Sequence, residues 1–214
     1  MAISFPLALP THKNPRSIDI TMRKVVGVNT APASLVAQTY EWPGERWEAQ
    51  IVLAPAMARD DGDPWVAWLT SLRGPVGSFL LGSLAGATPR GAAAGNPGTP
   101  QVDGDQAAQL RTLAIKTGLG TTANYLRAGD WLQLGTGSTS RLHKVLQDAS
   151  LDSSGKVTLD IWPALRSAVG NSAPIVLSGA KGKFMLATSS PSYAENSALM
   201  IEVGAIPCVE DLRP

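Results

Sequence analysis

LRAGDWLQLGTGSTSRLHKVLQDASLDSSGKVTLDIWPALR, running from Leu126 to Arg166, holds three short strand signals set off by turns. Gly129-Asp130 is a turn feeding Trp131 to Leu134, and Gly135 to Ser140 reads as a hairpin loop ahead of RLHKV. Ser153-Ser154-Gly155 is a further turn feeding Val157, Leu159 and Ile161, which alternate with Thr158 and Asp160. Strands this short and this closely spaced fold back on one another, so the stretch predicts a small antiparallel barrel or sheet. It contains no nucleophile beside a base and no cluster of metal ligands.

Upstream, strand signals run over Ser17 to Met22, Lys24 to Val28 and Arg46 to Leu53, the last with Trp47, Ala49, Ile51 and Leu53 on one face. Pro64 to Arg73 predicts a helix: Asp63 is a good N-cap, Pro64 suits the first helical position and Gly74-Pro75 closes the far end. Its Trp65, Trp68, Leu69 and Leu72 recur at helical spacing, so one face packs on a sheet. A short buried strand at Gly77 to Gly82 leads into Ser83 to Asp105, rich in Gly, Pro, Ala and Thr. Connections that long are rare in compact domains, and ordering against a neighbouring molecule is the favoured expectation. Further strands are expected at Leu110 to Thr117, Pro174 to Leu177, Lys183 to Ala187 and, closing the chain, Ala198 to Ile206, where Leu199, Ile201 and Val203 face one way.

The chain has 214 residues, enough for one elaborated domain or two small ones. Eighteen basic and seventeen acidic residues nearly cancel, which removes the footprint of a protein that grips nucleic acid by its phosphates. No sequence-specific nucleic-acid binding is expected. The single cysteine, Cys208, sits in an apolar strand pattern and is expected to be a buried, inert thiol of a reducing compartment. MAISFPLALPTHKNP makes a poor signal peptide, having no basic start and two early prolines. No window approaches the roughly 18 apolar residues of a membrane span. A charged fraction of 16% is low, as in subunits whose faces are covered by partners.

Each residue that could carry chemistry has a plainer reading. His12 lies in a Pro-rich leader and His143 inside a strand, and two histidines without a cysteine partner fit no zinc spacing. Asp60, Asp61 and Asp63 lack the glycine and closing glutamate of a calcium loop, and serve a helix N-terminus more simply. Gly86 to Gly98 and Gly179 to Lys183 do not match a phosphate loop, and Gly135 to Ser140 lacks the strand–elbow–helix setting of a nucleophile. A wall hydrolase would have to draw on carboxylates such as Asp130 or Glu195. No catalytic, cofactor-binding or metal-binding residue is expected. Of the six tryptophans, Trp42, Trp47, Trp65, Trp68, Trp131 and Trp162, periodicity places at least four in a core.

The landmarks SLRGPVGSFLLG, GATPRGAAAGNPGTPQVDG, LRAGDWLQLG, RLHKVL, SGKVTLDIWPALR, GKFMLA and CVEDL follow in a distinctive order. In that order they resemble a family of structural proteins from long-tailed siphophages, the distal tail or minor tail proteins of the tail tip. The resemblance covers roughly Tyr40 to Leu212. It implies a virion component of the phage tail tip, made in the host cytoplasm, that forms a ring between the tail tube and the hub carrying the receptor-binding apparatus. The implied partners are the tail tube, tail hub and tape measure proteins, and the ring is expected to be a hexamer, with a trimer next. The implied fold is mainly β: a tail-tube-like sandwich or barrel with one flanking helix, formed by residues 1–109 and 178–214, and a small antiparallel barrel inserted at 110–177. The helix, the strand Ser78 to Leu81 and the closing strand Ala198 to Ile206 map onto that core. The competing expectation is a carbohydrate-binding module in host recognition, using exposed indoles as platforms.

Overall fold

A computed structural model describes residues 3–213. In chain order its strands are β1 (Ser17–Thr30), β2 (Ala37–Val52), β3 (Met57–Ala58), β4 (Ser78–Leu81), β5 (Gln101–Val102), β6 (Thr112–Lys116), β7 (Thr122–Leu126) and β8 (Trp131–Leu134). There follow β9 (Arg141–Val145), β10 (Ala149–Leu151), β11 (Lys156–Trp162), β12 (Ile175–Val176), β13 (Gly182–Leu186), β14 (Tyr193–Glu195), β15 (Met200–Val203) and β16 (Ile206–Glu210). The helix α1 spans Arg59–Leu72, between β3 and β4. The chain is mainly β, with one α-helix and a nearly closed antiparallel barrel.

The first core lies between α1 and a five-stranded sheet ordered β1-β2-β16-β13-β4. Trp65, Trp68, Leu69 and Leu72 of the helix are buried there with Trp47, Ile51, Phe79, Phe184 and Cys208. Gly62 is needed on that face, because a Cβ there would stand 2.7 Å from Ile201 on β15. The helix starts earlier than expected: Ala58 is the N-cap, Asp63 caps nothing, and Pro64 lies inside the helix. Asp60 and Asp61 occupy the first turn, where the helix dipole favours them, and Asp63 pairs with Arg59 at 2.8 Å.

The second core fills the barrel, whose strands run β12-β8-β9-β11-β6-β5. Closure comes from the two ends of that order: the Val102 N–H donates to the Ala173 carbonyl and the Ile175 N–H to the Pro100 carbonyl, both near 3 Å. Leu132, Leu134, Val145, Leu159 and Ile161 point inward. The turn before β11 depends on Gly155, at φ +70°, where a Cβ would meet the Leu119 carbonyl oxygen at 1.9 Å. The Asp152 carboxylate accepts the Ser154 and Lys156 N–H groups, completing the turn.

Two other expectations are corrected. The Gly/Pro/Ala stretch from Ser83 to Asp105 is ordered against its own barrel, not against a neighbour. It supplies β5, buries Ala93 in the barrel core, and brings the Pro97 carbonyl to 2.6 Å from the Tyr125 hydroxyl. Small residues permit this approach: a Cβ on Gly91 would collide with the Asn124 and Tyr125 carbonyls at about 2.4 Å. The closing segment is two strands, not one. β15 joins β14 and β3 in a small separate sheet, and β16 is the strand at the middle of the five-stranded sheet. Leu199, at φ +58°, is exposed and does not share the face of Ile201 and Val203.

The two cores meet at Trp47. Trp162 and Trp131, on the outer face of the barrel, lie edge-on and tilted against it with ring centroids 4.2 and 4.9 Å away. The Trp47 indole N–H donates to the Leu142 carbonyl at 2.9 Å, and its backbone N–H to Glu210 at 3.1 Å. Arg166 donates to the same Glu210 oxygen at 2.6 Å, and Glu45 accepts the Ala164 N–H. The barrel is therefore seated on the sheet by an aromatic cluster framed with buried charge.

Candidate functional site

β1 and β2 form a hairpin far longer than the strand signals at Ser17 to Val28 and Arg46 to Leu53 indicate. The two strands stay paired from Ser17–Val52 to Thr30–Ala37, with one register shift at Lys24–Val26. β16 covers β2 only from Glu48 to Ile51, so the outer half of the hairpin is a two-stranded arm. Every residue from Asn29 to Gly44 is exposed. Val25, Val26, Val28, Leu35, Val36 and Tyr40 are large, apolar and exposed, Leu35 at 79%. Between Val25 and Trp42 the only charged residue is Glu41. A two-stranded ribbon is marginal alone, and an apolar ribbon with open edges recruits another surface.

The residues singled out for chemistry are scattered. His12 is exposed on the leader, while His143 is buried in β9, its Nδ1 donating to the Pro163 carbonyl at 2.8 Å. Asp130 is a buried turn acceptor, taking the Arg90 and Arg127 N–H groups at 3.0 and 2.8 Å, and Glu195 is exposed on β14. Gly135 to Ser140 forms the loop between β8 and β9, and Gly179 to Lys183 leads into β13. Among the described residues, no three His, Cys, Asp or Glu side chains come together as a metal site. Among the same described residues, no helix is long and apolar enough to cross a membrane. Cys208 is buried, its thiol donating to the Ala49 carbonyl and pushed up to about 12 by desolvation. Five indoles are buried and Trp42 is half exposed.

His143 gives the fold a pH dependence of known sign. Burial, with some help from Arg166 and Arg141, lowers its pKa to about 4, against an ordinary 6.5. The unfolded chain therefore takes up a proton that the folded chain refuses. This contribution is fully present above pH 6.5 and is lost as pH falls toward 4, a total of roughly 3 kcal/mol. Urea midpoints measured from pH 6.5 down to 5 are expected to fall in the parent chain and to fall less in His143→Gln. Equal slopes in the two proteins would remove His143 as the cause.

No family model matches the chain, and no curated protein matches it in sequence.

Proposed function

We propose that this chain is a non-enzymatic structural subunit of a long-tailed phage tail tip, a distal tail protein that assembles into a ring joining the tail tube to the hub and its receptor-binding apparatus. The observation that carries the reading is the arm: sixteen consecutive exposed residues, mostly apolar and with a single charge, on a ribbon that cannot bury them itself. An obligate assembly supplies the missing cover, and a closed ring supplies it to every copy at once. The ordered landmarks of the sequence support the choice of assembly, and the scattered placement of the titratable residues suits a part that performs no chemistry. The reading gives the arm contacts with a second copy, and gives the faces away from it to the tube, hub and tape measure proteins.

Sedimentation of the purified chain is expected to show a hexamer in place of the 22.4 kDa monomer. Val28→Glu with Leu35→Glu places charge on the arm and is expected to release monomers, with the thermal midpoint of the body within a few degrees of the parent. A monomer at every concentration would overturn self-assembly into a ring. A tail tip without density for this two-core fold, imaged in the intact particle, would overturn the location.

A further inference from the structure

The turn at the tip of the arm holds Leu35 in a backbone conformation that leucine avoids. The Ala31 N–H donates to the Val36 carbonyl and the Leu35 N–H to the Ala31 carbonyl, which closes the turn with Leu35 at φ +56°. Gly or Asn adopts that region readily, whereas a bulky side chain there is strained. Leu35 gains no burial within its own chain in return, since it is 79% exposed. Strain of this kind persists where function requires the conformation, and an apolar side chain held out at the end of a ribbon is shaped to enter a pocket. Leu199 shares this backbone but stands beside Arg59, Asp63 and Glu195, whereas from Asn29 to Tyr40 the arm has no charged residue.

A matching surface lies at the other end of the hairpin. The leader is bonded to β4, with the Leu7 N–H donating to the Ser78 carbonyl and the Leu80 N–H to the Leu7 carbonyl, both at 2.9 Å, and then crosses to β1. Between the leader and the loops at residues 82–87 and 179–181 runs an open groove of about 290 Å³. Leu9, Pro10, Ile18, Leu80, Leu84 and Ala180 make it apolar, and half of Leu84 is exposed. Lys181 is the one charged residue lining it, exposed and without a carboxylate partner among the described residues. The uncharged tip matches such a groove, because burying a charge against apolar side chains is costly. The carbonyls of the turn that its own two bonds leave open give the Lys181 ammonium acceptors.

One chain cannot make this contact with itself. Ile18, in the groove, pairs with Ile51 at the foot of the hairpin, while the last pair is Thr30–Ala37. From Ile18 to Thr30 the strand runs roughly 40 Å, so tip and groove sit at opposite ends of the hairpin. We propose that the groove is the socket for the arm of a second copy, with Leu35 as the side chain that anchors it. The contact joins two different surfaces, the head-to-tail kind that a ring requires. It rests on the ring reading above and adds to it the surface that receives the arm.

The test follows full-length chains by sedimentation. Leu84→Glu with Ala87→Glu charges the groove and is expected to yield monomers, as charging the arm does. Mixing that variant with the Val28→Glu, Leu35→Glu chain brings together one intact arm and one intact groove, so dimers are expected and nothing larger. Leu35→Asn relieves the left-handed backbone while removing the apolar anchor. It is expected to raise the thermal midpoint of the dilute protein by a few degrees and the concentration for half-assembly roughly tenfold or more, a pairing of effects that a purely structural leucine would not give. Leu199→Asn is expected to leave assembly unchanged. A monomeric parent would overturn the ring and the socket together. Rings that survive the groove substitutions, or a mixture that stays monomeric at about 1 mM, would overturn the socket alone.

Discussion

Trp47→Ala is expected to destabilise the chain by about 3–5 kcal/mol, the largest effect of any single side-chain truncation in the molecule. Trp47 stands on the sheet and packs directly against Trp131 and Trp162 of the barrel strands, so its ring joins the two halves of the fold. Its ring is sandwiched by Trp131 and Trp162 from the barrel and lies in the same cluster as the helix face formed by Trp65 and Trp68. Truncation would open a cavity that rigid strands on both sides cannot collapse, and would strip the Leu142 carbonyl of its donor. Domains of this size have total stabilities of about 5–15 kcal/mol, so a loss on this scale consumes a large share. Urea denaturation followed by far-UV circular dichroism measures it. A loss below about 1 kcal/mol would mean that the joint is not where the two cores are coupled.

Glu210→Leu is expected to cost roughly 3–5 kcal/mol, because it leaves Arg166 charged and largely buried with no counter-ion. The pair is an uneasy one even when intact. Arg166 Nε and Glu210 Oε1 are both buried without hydrogen-bond partners, so the two ions recover only part of their desolvation through the single 2.6 Å contact. Replacing both, as Glu210→Leu with Arg166→Met, is therefore expected to restore most of the stability. The shortfall is about 1 kcal/mol for the Trp47 N–H, which loses its acceptor. A double mutant no more stable than Glu210→Leu would show that the pair is a net stabiliser and not a costly specificity device. The comparison requires all four proteins of the cycle under one set of conditions.

Local pattern reveals most of the barrel and little of the site. The alternation of Leu159 and Ile161 with Thr158 and Asp160, and the turns at Gly129 and Gly155, mark β8 to β11 because one face of those strands is simply buried and the other is not. Trp131 to Leu134 is different. All four residues are buried, since β8 is covered by the barrel core on one face and by the sheet on the other, so no alternation remains to be read. The helix start is concealed by Pro64, which suits a first-turn position yet lies deeper inside α1. The Ser83 to Asp105 stretch looks structureless because Gly and Ala give no periodic signal. What orders it is close backbone approach to β7, a long-range contact.

The arm is hidden for another reason. Beyond Val28 the arm shows no strand alternation, and Ala31 to Val36 form its turn, so nothing in the sequence marks a ribbon that outruns its sheet. Glu45 and Arg111 are far apart in sequence, and the hairpin and barrel bring them together only once both cores exist. Trp42 could be told from the five core indoles only by its place on a ribbon whose length exceeds the sheet that supports it.

Cys208 turns the joint into a clock. Its sulfur is sealed under β2 opposite Ala49, two residues from Trp47, and is bonded to the Ala49 carbonyl. As the chain's one thiol, raised well above physiological pH by its burial, it reacts with an alkylating reagent only when β16 separates from β2. The rate of that labelling therefore times the opening of the sheet at the point where the barrel is attached, with no probe added to the molecule.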